Sequence, residues 1–372
     1  MKTYWMLIPA WLSRLGLALA LLLALPSGGT VHFGPGAARA TERFAAYAPG
    51  CGAPGAADDL LAEMRFDAYV DWIRKLSGET RVAVGGRQHT IRTRYSPTLF
   101  DGRSAAYGFV REQVLAWYPA AQVEEHSFAP PPSMGSDTSW KNLILTIPGS
   151  VRPQEEVLLT AHLDSTSSSP ATLAPGANDN ATGAAALLEA ARVLQGRTLP
   201  RTLRIIWFTG EEQNMIGSSA YAAEHDLSGV QAVINLDMFG YDGDGDRCFE
   251  LHVGTLEESA QVAGCYAFAV GAYAPELRFD TLTQSATTSS DHDPFWNKGI
   301  GAVEVLENHF NVPSADGFPP GCSGRDPSPH YHRTTDTLAN MHPAYAYAIA
   351  RAGLAAAFGL ASPNLVFVPF VQ

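Results

Sequence analysis

The sequence predicts an α/β protein of three layers, α/β/α, in which helices cover both faces of a central mixed, mainly parallel twisted sheet. Short, largely apolar runs such as NLILTI (Asn142–Ile147) and LRIIWF (Leu203–Phe208) read as strands buried on both faces, which is what parallel pairing produces. Segments of helical period separate them along the chain, the order of a covered α/β sheet. The chain has 372 residues, 46% apolar and 17% charged, enough to enclose a sizeable core.

In chain order, residues 1–40 read as an export signal. Lys2 and Arg14 supply positive charge, and Leu15–Leu25 is an apolar run short for a bilayer and closed by Pro26. Ala38-Arg39-Ala40 offers a cleavage site; an uncleaved anchor over Tyr4–Leu25 is the alternative. Residues 41–57, rich in Ala, Gly and Pro, are expected to be a loose leader, with the globular domain over 58–361 and a tail at 362–372.

Leu61, Met64, Phe66, Tyr69, Val70, Ile73 and Leu76 predict helix from Asp58 to Gly78, and residues 104–118 predict a second helix. Strands are then expected at Asn142–Ile147, Val157–Ala161, Leu203–Phe208, Val233–Leu236, Phe249–Val253 and Ile300–Leu306. Helices are expected at Thr182–Leu194 (stopped by Gly196), Ser218–His225, Leu256–Val270 and Ala344–Leu360.

The formal charge of −12 argues against nucleic acid or an anionic membrane as partner, since both need a basic surface. A monomer is expected, with no stable membrane association once the signal is removed. The even cysteine count, Cys51, Cys248, Cys265 and Cys322, predicts disulfides in an exported chain, and Cys248–Cys265 is the most local pairing. No C-x-x-C is present, which argues against a thiolate zinc site.

The chemistry sits in the polar residues that follow the strands. VLLTA runs into His162 and Asp164, LRIIWFTG into Glu211 and Glu212, and AVINL into Asp237. In an open α/β sheet, sites form beyond the carboxyl ends of the strands. Asp179 at the tip of a Gly-rich loop and His332 in HYHRTTDT complete two imidazoles and several carboxylates. That inventory suits two divalent ions, each with one His and one acid, sharing a bridging carboxylate. Adjacent Glu211 and Glu212 diverge, so one can ligate metal while the other takes a proton from water. Asp164, two residues from His162, is expected to accept its second ring N–H.

The blocks AHLDS, APGANDNATG, FTGEEQNMIGS, INLDM, SDHDPFW and YHRTTDTLAN resemble those of the secreted bacterial leucyl aminopeptidases with a co-catalytic zinc pair, metallopeptidase family twenty-eight. The resemblance covers about residues 58–361. It implies the zinc-exopeptidase fold and removal of N-terminal residues from peptides with a free N-terminus. By it, His162 and Asp237 bind one zinc, Glu212 and His332 bind the other, and Asp179 bridges. Glu211 is then the general base, Asp164 orients His162, and a cis peptide follows the bridging acid.

The chain also departs from those relatives. Their tyrosine before the SDH block is replaced by SATTSS (Ser285–Ser290), where Thr287 or Thr288 is the available hydroxyl. Glu304 stands where leucine-preferring relatives are apolar; it is expected to line the pocket and favour a basic or polar N-terminal residue, unless it turns away or pairs with an arginine. Met238, Leu306, Phe310 and His292 are the other expected pocket residues. A calcium loop at Asp242, Asp244 and Asp246 is a further candidate, weakened by Arg247 and Val253 at its sixth and twelfth positions. Three alternatives stay open: a carboxypeptidase using Arg325 or Arg333, a glutaminyl cyclase-like acyltransferase (Tyr331 stands where those enzymes usually carry Trp), and a peptidase-like binding domain without activity.

Overall fold

The computed structural model describes residues 50–53, 55–134, 139–310 and 321–363. The expected export signal and residues 41–49 and 364–372 lie outside them. The described chain opens with helices α1 (Asp58–Ala62) and α2 (Phe66–Leu76), the hairpin β1 (Val82–Val84) and β2 (Arg87–His89), then α3 (Ser96–Phe100) and α4 (Ala106–Trp117). Strands β3 (Val123–Phe128), β4 (Trp140–Ile147) and β5 (Gly149–His162) follow, then α5 (Ala181–Leu194), β6 (Leu199–Phe208), α6 (Ile216–Glu224) and β7 (Val230–Leu236). The remainder is β8 (Cys248–His252), α7 (Glu257–Tyr273), β9 (Arg278–Leu282), α8 (Asp293–Trp296), β10 (Ala302–Glu307) and α9 (Pro343–Ala361).

Eight strands form one mixed sheet in the order β3-β4-β6-β5-β7-β10-β8-β9. The central four, β6, β5, β7 and β10, are mutually parallel, while β3 pairs antiparallel with β4, and β4 and β8 run antiparallel to their central neighbours. Residues alternate between the two faces, as the pleat requires. Leu143, Leu145, Val157, Leu159, Leu203, Ile205 and Trp207 face the larger core with α2, α4, α5, α7 and α9. Ile144, Leu158, Ile206 and Phe208 face a smaller one closed by Tyr221 of α6 and Phe295 of α8. Helix α9 is long and apolar enough to cross a membrane, but 78% of it is buried inside the protein, so here it is a core helix.

The expected helix over 58–78 is two helices. Arg65 adopts extended backbone, and its N–H goes to Glu189 Oε1 of α5 at 2.8 Å, which caps the break. The cysteine expectation is corrected: the disulfides are Cys51–Cys265 and Cys248–Cys322, with Cα separations of 5.0 and 5.3 Å. Cys265, inside α7, is taken by Cys51 from the start of the described chain, and Cys248, at the start of β8, by Cys322, so both bridges are long-range and neither partner is the nearest in sequence. The first bridge also ties down the end of the expected loose leader. Cys51 is buried, and Gly52, at φ +83°, packs where a Cβ would come within 3.2 Å of Gly359 in α9. Two disulfides suit an oxidising compartment.

Candidate metal centre and substrate cavity

Four parallel strands deliver their carboxyl ends to one edge of the sheet, and the predicted ligands converge there. His162 is the last residue of β5. Asp237 follows β7 directly, and Glu211 and Glu212 lie just beyond β6. Asp179 sits before α5, followed by a cis peptide bond to Asn180. His332 comes from the segment between β10 and α9, its backbone in the left-handed region at φ +54°.

Asp179 stands between two pairs, each of one histidine and one acid. Its Oδ1 is 3.3 Å from His162 Nε2, and its Oδ2 is 3.3 Å from His332 Nε2. On one side His162 Nε2 lies 3.0 Å from Asp237 Oδ1; on the other His332 Nε2 lies 3.0 Å from Glu212 Oε2. Glu211 faces the same space, with Oε2 3.9 Å from His162 Nε2.

The supports explain why these groups hold their positions. His162 donates its Nδ1–H to the backbone carbonyl of Asp164 at 3.1 Å, which leaves Nε2 free as the ligand atom. The Asp164 carboxylate stands 3.7 Å from that nitrogen, beyond hydrogen-bond reach, so it does not accept the ring N–H as the sequence spacing suggests. It accepts the backbone N–H groups of Glu211 and Glu212, each at 3.3 Å, and the Ser96 hydroxyl at 3.0 Å. Asp164 therefore anchors the Glu-Glu pair.

The bridging loop is held by other groups. Asp336 accepts the N–H of Asn178 at 2.9 Å and of Asp179 at 3.0 Å. The fully buried Arg94 donates to the carbonyls of Leu76, Leu163, Pro175 and Gly176. The Asn180 side chain caps α5 through Gly183 N–H and donates to Leu236 O, joining the helix to the end of β7. Being fully buried, Asn180 is no glycosylation acceptor despite its Asn-Ala-Thr pattern. Asp237 is oriented by a relay in which Thr160 donates to Asn235, Asn235 to Ser290, and Ser290 to Asp237 Oδ2 at 2.6 Å. Nothing in the sequence singles out Arg94, Ser290 or Asp336 for these supporting roles.

Acid and imidazole are packed here to the point of mutual perturbation. Burial, then Asp179, pushes Glu212 up to about 7. Burial, with the Asp237, Asp291 and Glu212 carboxylates adding to it, holds Glu211 well above the usual range. Burial opposes charge on Asp179, but hydrogen bonds from His162 and His332 outweigh it and hold that carboxyl low. Burial likewise opposes charge on His332, yet Asp179 and Glu212 raise it to about 10. Such a cluster calls for cations. His162, Asp179 and Glu212 bring ligand atoms within 4.8 Å of one another, and buried Glu212 Oε1 has no hydrogen-bond partner. Imidazole nitrogen with carboxylate oxygen is a donor set that suits zinc.

Beside the centre lies a cavity of about 220 Å³. Met238, Glu304, Leu306 and Phe310 line it; His292, fully buried, stands behind Glu304. Asn214, Met215, Thr287, Ser289, His309 and Tyr331 line it too, together with Asp179, Glu211, Glu212, Asp237 and His332, and Tyr331 stacks on His332 with ring centroids 3.7 Å apart. No lysine or arginine is among the described lining residues: Arg325 donates to His309 O, and Arg333 is exposed. His330 bonds Thr335 and is not among the ligands. Asp242, Asp244 and Asp246 do cluster, but their oxygens accept the N–H groups of Arg247, Asp246 and Cys248, which makes a hydrogen-bonded turn.

Comparison with known proteins gives a consistent picture. The sequence profile of Peptidase family M28 matches residues 142–357, more than half of the chain. Aminopeptidase YwaD of Bacillus subtilis (strain 168) is 33% identical over 175 residues, 46% of this chain and 36% of that protein. Probable leucine aminopeptidase 1 of Trichophyton verrucosum (strain HKI 0517) is 29% identical over 285 residues, 73% of this chain and 71% of that protein. The chain thus spans about a third of the Bacillus relative's length. Among solved structures, the LapA aminopeptidase of Legionella pneumophila superposes with TM-score 0.62 at 18% identity, covering 82% of this chain and 73% of that one. A Porphyromonas gingivalis glutaminyl cyclase gives 0.55 at 17% identity, covering 78% and 96%. At these identities the two likenesses speak for the fold.

Proposed function

Since the chain belongs to peptidase family M28, we propose that it is an exported two-zinc aminopeptidase that releases N-terminal residues from peptides. The observation that carries the reading is the placement of Asp179. Its two oxygens face two histidines, each paired with a further acid, and this is what a carboxylate shared by two ions requires. His162 and Asp237 would hold one zinc, Glu212 and His332 the other. Bound there, zinc supplies a Lewis acid for the scissile carbonyl and makes water acidic enough to lose a proton near neutral pH.

The remaining work belongs to the chain. Glu211, fixed by its backbone bond to Asp164, takes a proton from the attacking water and delivers it to the leaving nitrogen. Burial holds the Glu211 carboxyl above the usual carboxylate range, which makes its ionised form a stronger proton acceptor. The carboxylates of Glu211, Glu212 and Asp237 line the cavity and offer hydrogen-bond acceptors to a free α-amine at the entrance. The lack of a lining lysine or arginine among the described residues disfavours the carboxypeptidase alternative, which needs a cation for the substrate carboxylate.

The test uses the zinc-loaded protein, a peptide with a free N-terminus and its N-acetylated copy. Stepwise release from the free peptide alone, reduced roughly 10²- to 10⁴-fold in Glu211→Gln, supports the reading. Equal cleavage of both peptides, or activity unaltered in Glu211→Gln, overturns it.

A further inference from the structure

The cavity wall below the metal centre is mostly apolar or uncharged, with one exception. Glu304 pairs across the sheet with Asn235 of β7 and with His252 of β8. Its side chain therefore shares a face with Asn235 and, two residues on, Asp237, at a depth of ~7 Å below the ligand end of the strand. Glu304 is 2% exposed, yet it lines the cavity.

Its Oε2 is buried without a hydrogen-bond partner. The facing group is His292 Nδ1 at 3.5 Å, itself without a partner. His292 donates its Nε2–H to Thr287 O at 2.9 Å, so its neutral ring turns a lone pair toward the carboxylate, acceptor against acceptor. The neighbouring His252 is also engaged: it bonds Glu250 through Nε2 and accepts Thr287 N–H at Nδ1. A buried acceptor without a donor is costly, and such groups persist where a ligand supplies the donor.

We propose that this cavity receives the side chain of the substrate's N-terminal residue, and that Glu304 selects a side chain ending in a protonated nitrogen, lysine or arginine, over an aliphatic one. The inference rests on the two-zinc aminopeptidase reading. In that reading the two ions are balanced by the carboxylates of Asp179, Glu211, Glu212 and Asp237, and among the described lining residues Glu304 is the carboxylate left without a counter-charge. A lysine carries its ammonium on a four-carbon stem that reaches ~6 Å, close to the depth of Glu304. Met238, Leu306 and Phe310 offer the apolar surface along which such a stem packs.

The test compares kcat/KM for lysyl- and leucyl-p-nitroanilide on the full zinc-loaded chain, with calorimetric binding of free L-lysine and L-leucine as a second readout. Wild type is expected to prefer the lysyl substrate at least tenfold. Glu304→Gln and Glu304→Leu should each lower the lysyl kcat/KM by a further tenfold or more, chiefly through KM, and Glu304→Leu should raise the leucyl value. A wild-type preference for leucine, or a lysyl-to-leucyl ratio unaltered in both variants, overturns the pocket assignment while leaving the aminopeptidase reading intact. Hydrolysis of neither substrate, with lysine binding still dependent on Glu304, upholds the pocket and overturns the aminopeptidase reading.

Discussion

Replacing Asp164 by Asn isolates what its carboxylate does, because the contact to His162 is made by the backbone carbonyl and survives the change. The carboxylate accepts Glu211 N–H at Oδ1, and Glu212 N–H together with the Ser96 hydroxyl at Oδ2. Asparagine offers one acceptor and one NH₂ group. The Ser96 hydroxyl can accept as well as donate, so the amide should turn its NH₂ toward Ser96 and meet Glu212 N–H donor to donor. The loss of one hydrogen bond to a charged acceptor is worth about 1.5–3 kcal/mol, roughly 10- to 150-fold in an equilibrium or rate constant. It should fall on Glu212, hence on zinc affinity, and more weakly on Glu211 and kcat. Zinc titration against a chelating dye, alongside kcat at saturating zinc, measures both. Ser96→Ala removes one donor to the same carboxylate but leaves both N–H contacts and sets no donor against another, so its effect on zinc affinity should not exceed that of Asp164→Asn. An Asp164→Asn protein with wild-type zinc affinity and kcat would refute the anchoring role.

Other consequences follow from the disulfides and the buried acids. Closing loops over sequence separations of 214 and 74 residues is worth about 5 and about 4 kcal/mol in the chain-entropy model, so Cys51→Ser with Cys265→Ser should lower Tm at least as much as Cys248→Ser with Cys322→Ser. The reverse order by calorimetry would count against that ranking. Asp291 is fully buried and pushed up to about 7 by burial, so its contribution to stability is complete below about pH 4 and is lost as pH rises through 7. In the zinc-free protein this costs about 3 kcal/mol between pH 5 and pH 8, and Asp291→Asn should remove it. Urea unfolding at the two pH values tests this, and equal pH dependence in variant and wild type would contradict it.

The central strands and the residues that converge at their ends were legible for one reason. Strands buried on both faces read as apolar runs, and the first polar residues after them, His162, Glu211, Glu212 and Asp237, mark the sheet edge where ions can bind. The sheet edges were not legible. β3 (VEEHSF) and β9 (RFDTL) are outermost strands whose exposed positions carry charge, so no apolar run announces them. The first half of β5 pairs irregularly and is polar for the same reason. Supporting residues were hidden more deeply. Arg94 serves carbonyls as far as 82 residues away, and Asp336 serves N–H groups 157 and 158 residues away. A partner that satisfies backbone groups leaves no periodic trace in sequence. The spacing of Asp164 was visible, but its carboxylate turned to the Glu-Glu pair because the His162 ring was already served by a carbonyl.

Whether two ions share Asp179 is decided by adding zinc stepwise to the metal-free protein and following release of an N-terminal residue. Activity should reach its plateau only after two equivalents per chain, and Asp179→Asn should weaken the binding of both. Full activity at one equivalent, or loss of a single equivalent in Asp179→Asn, would contradict that sharing.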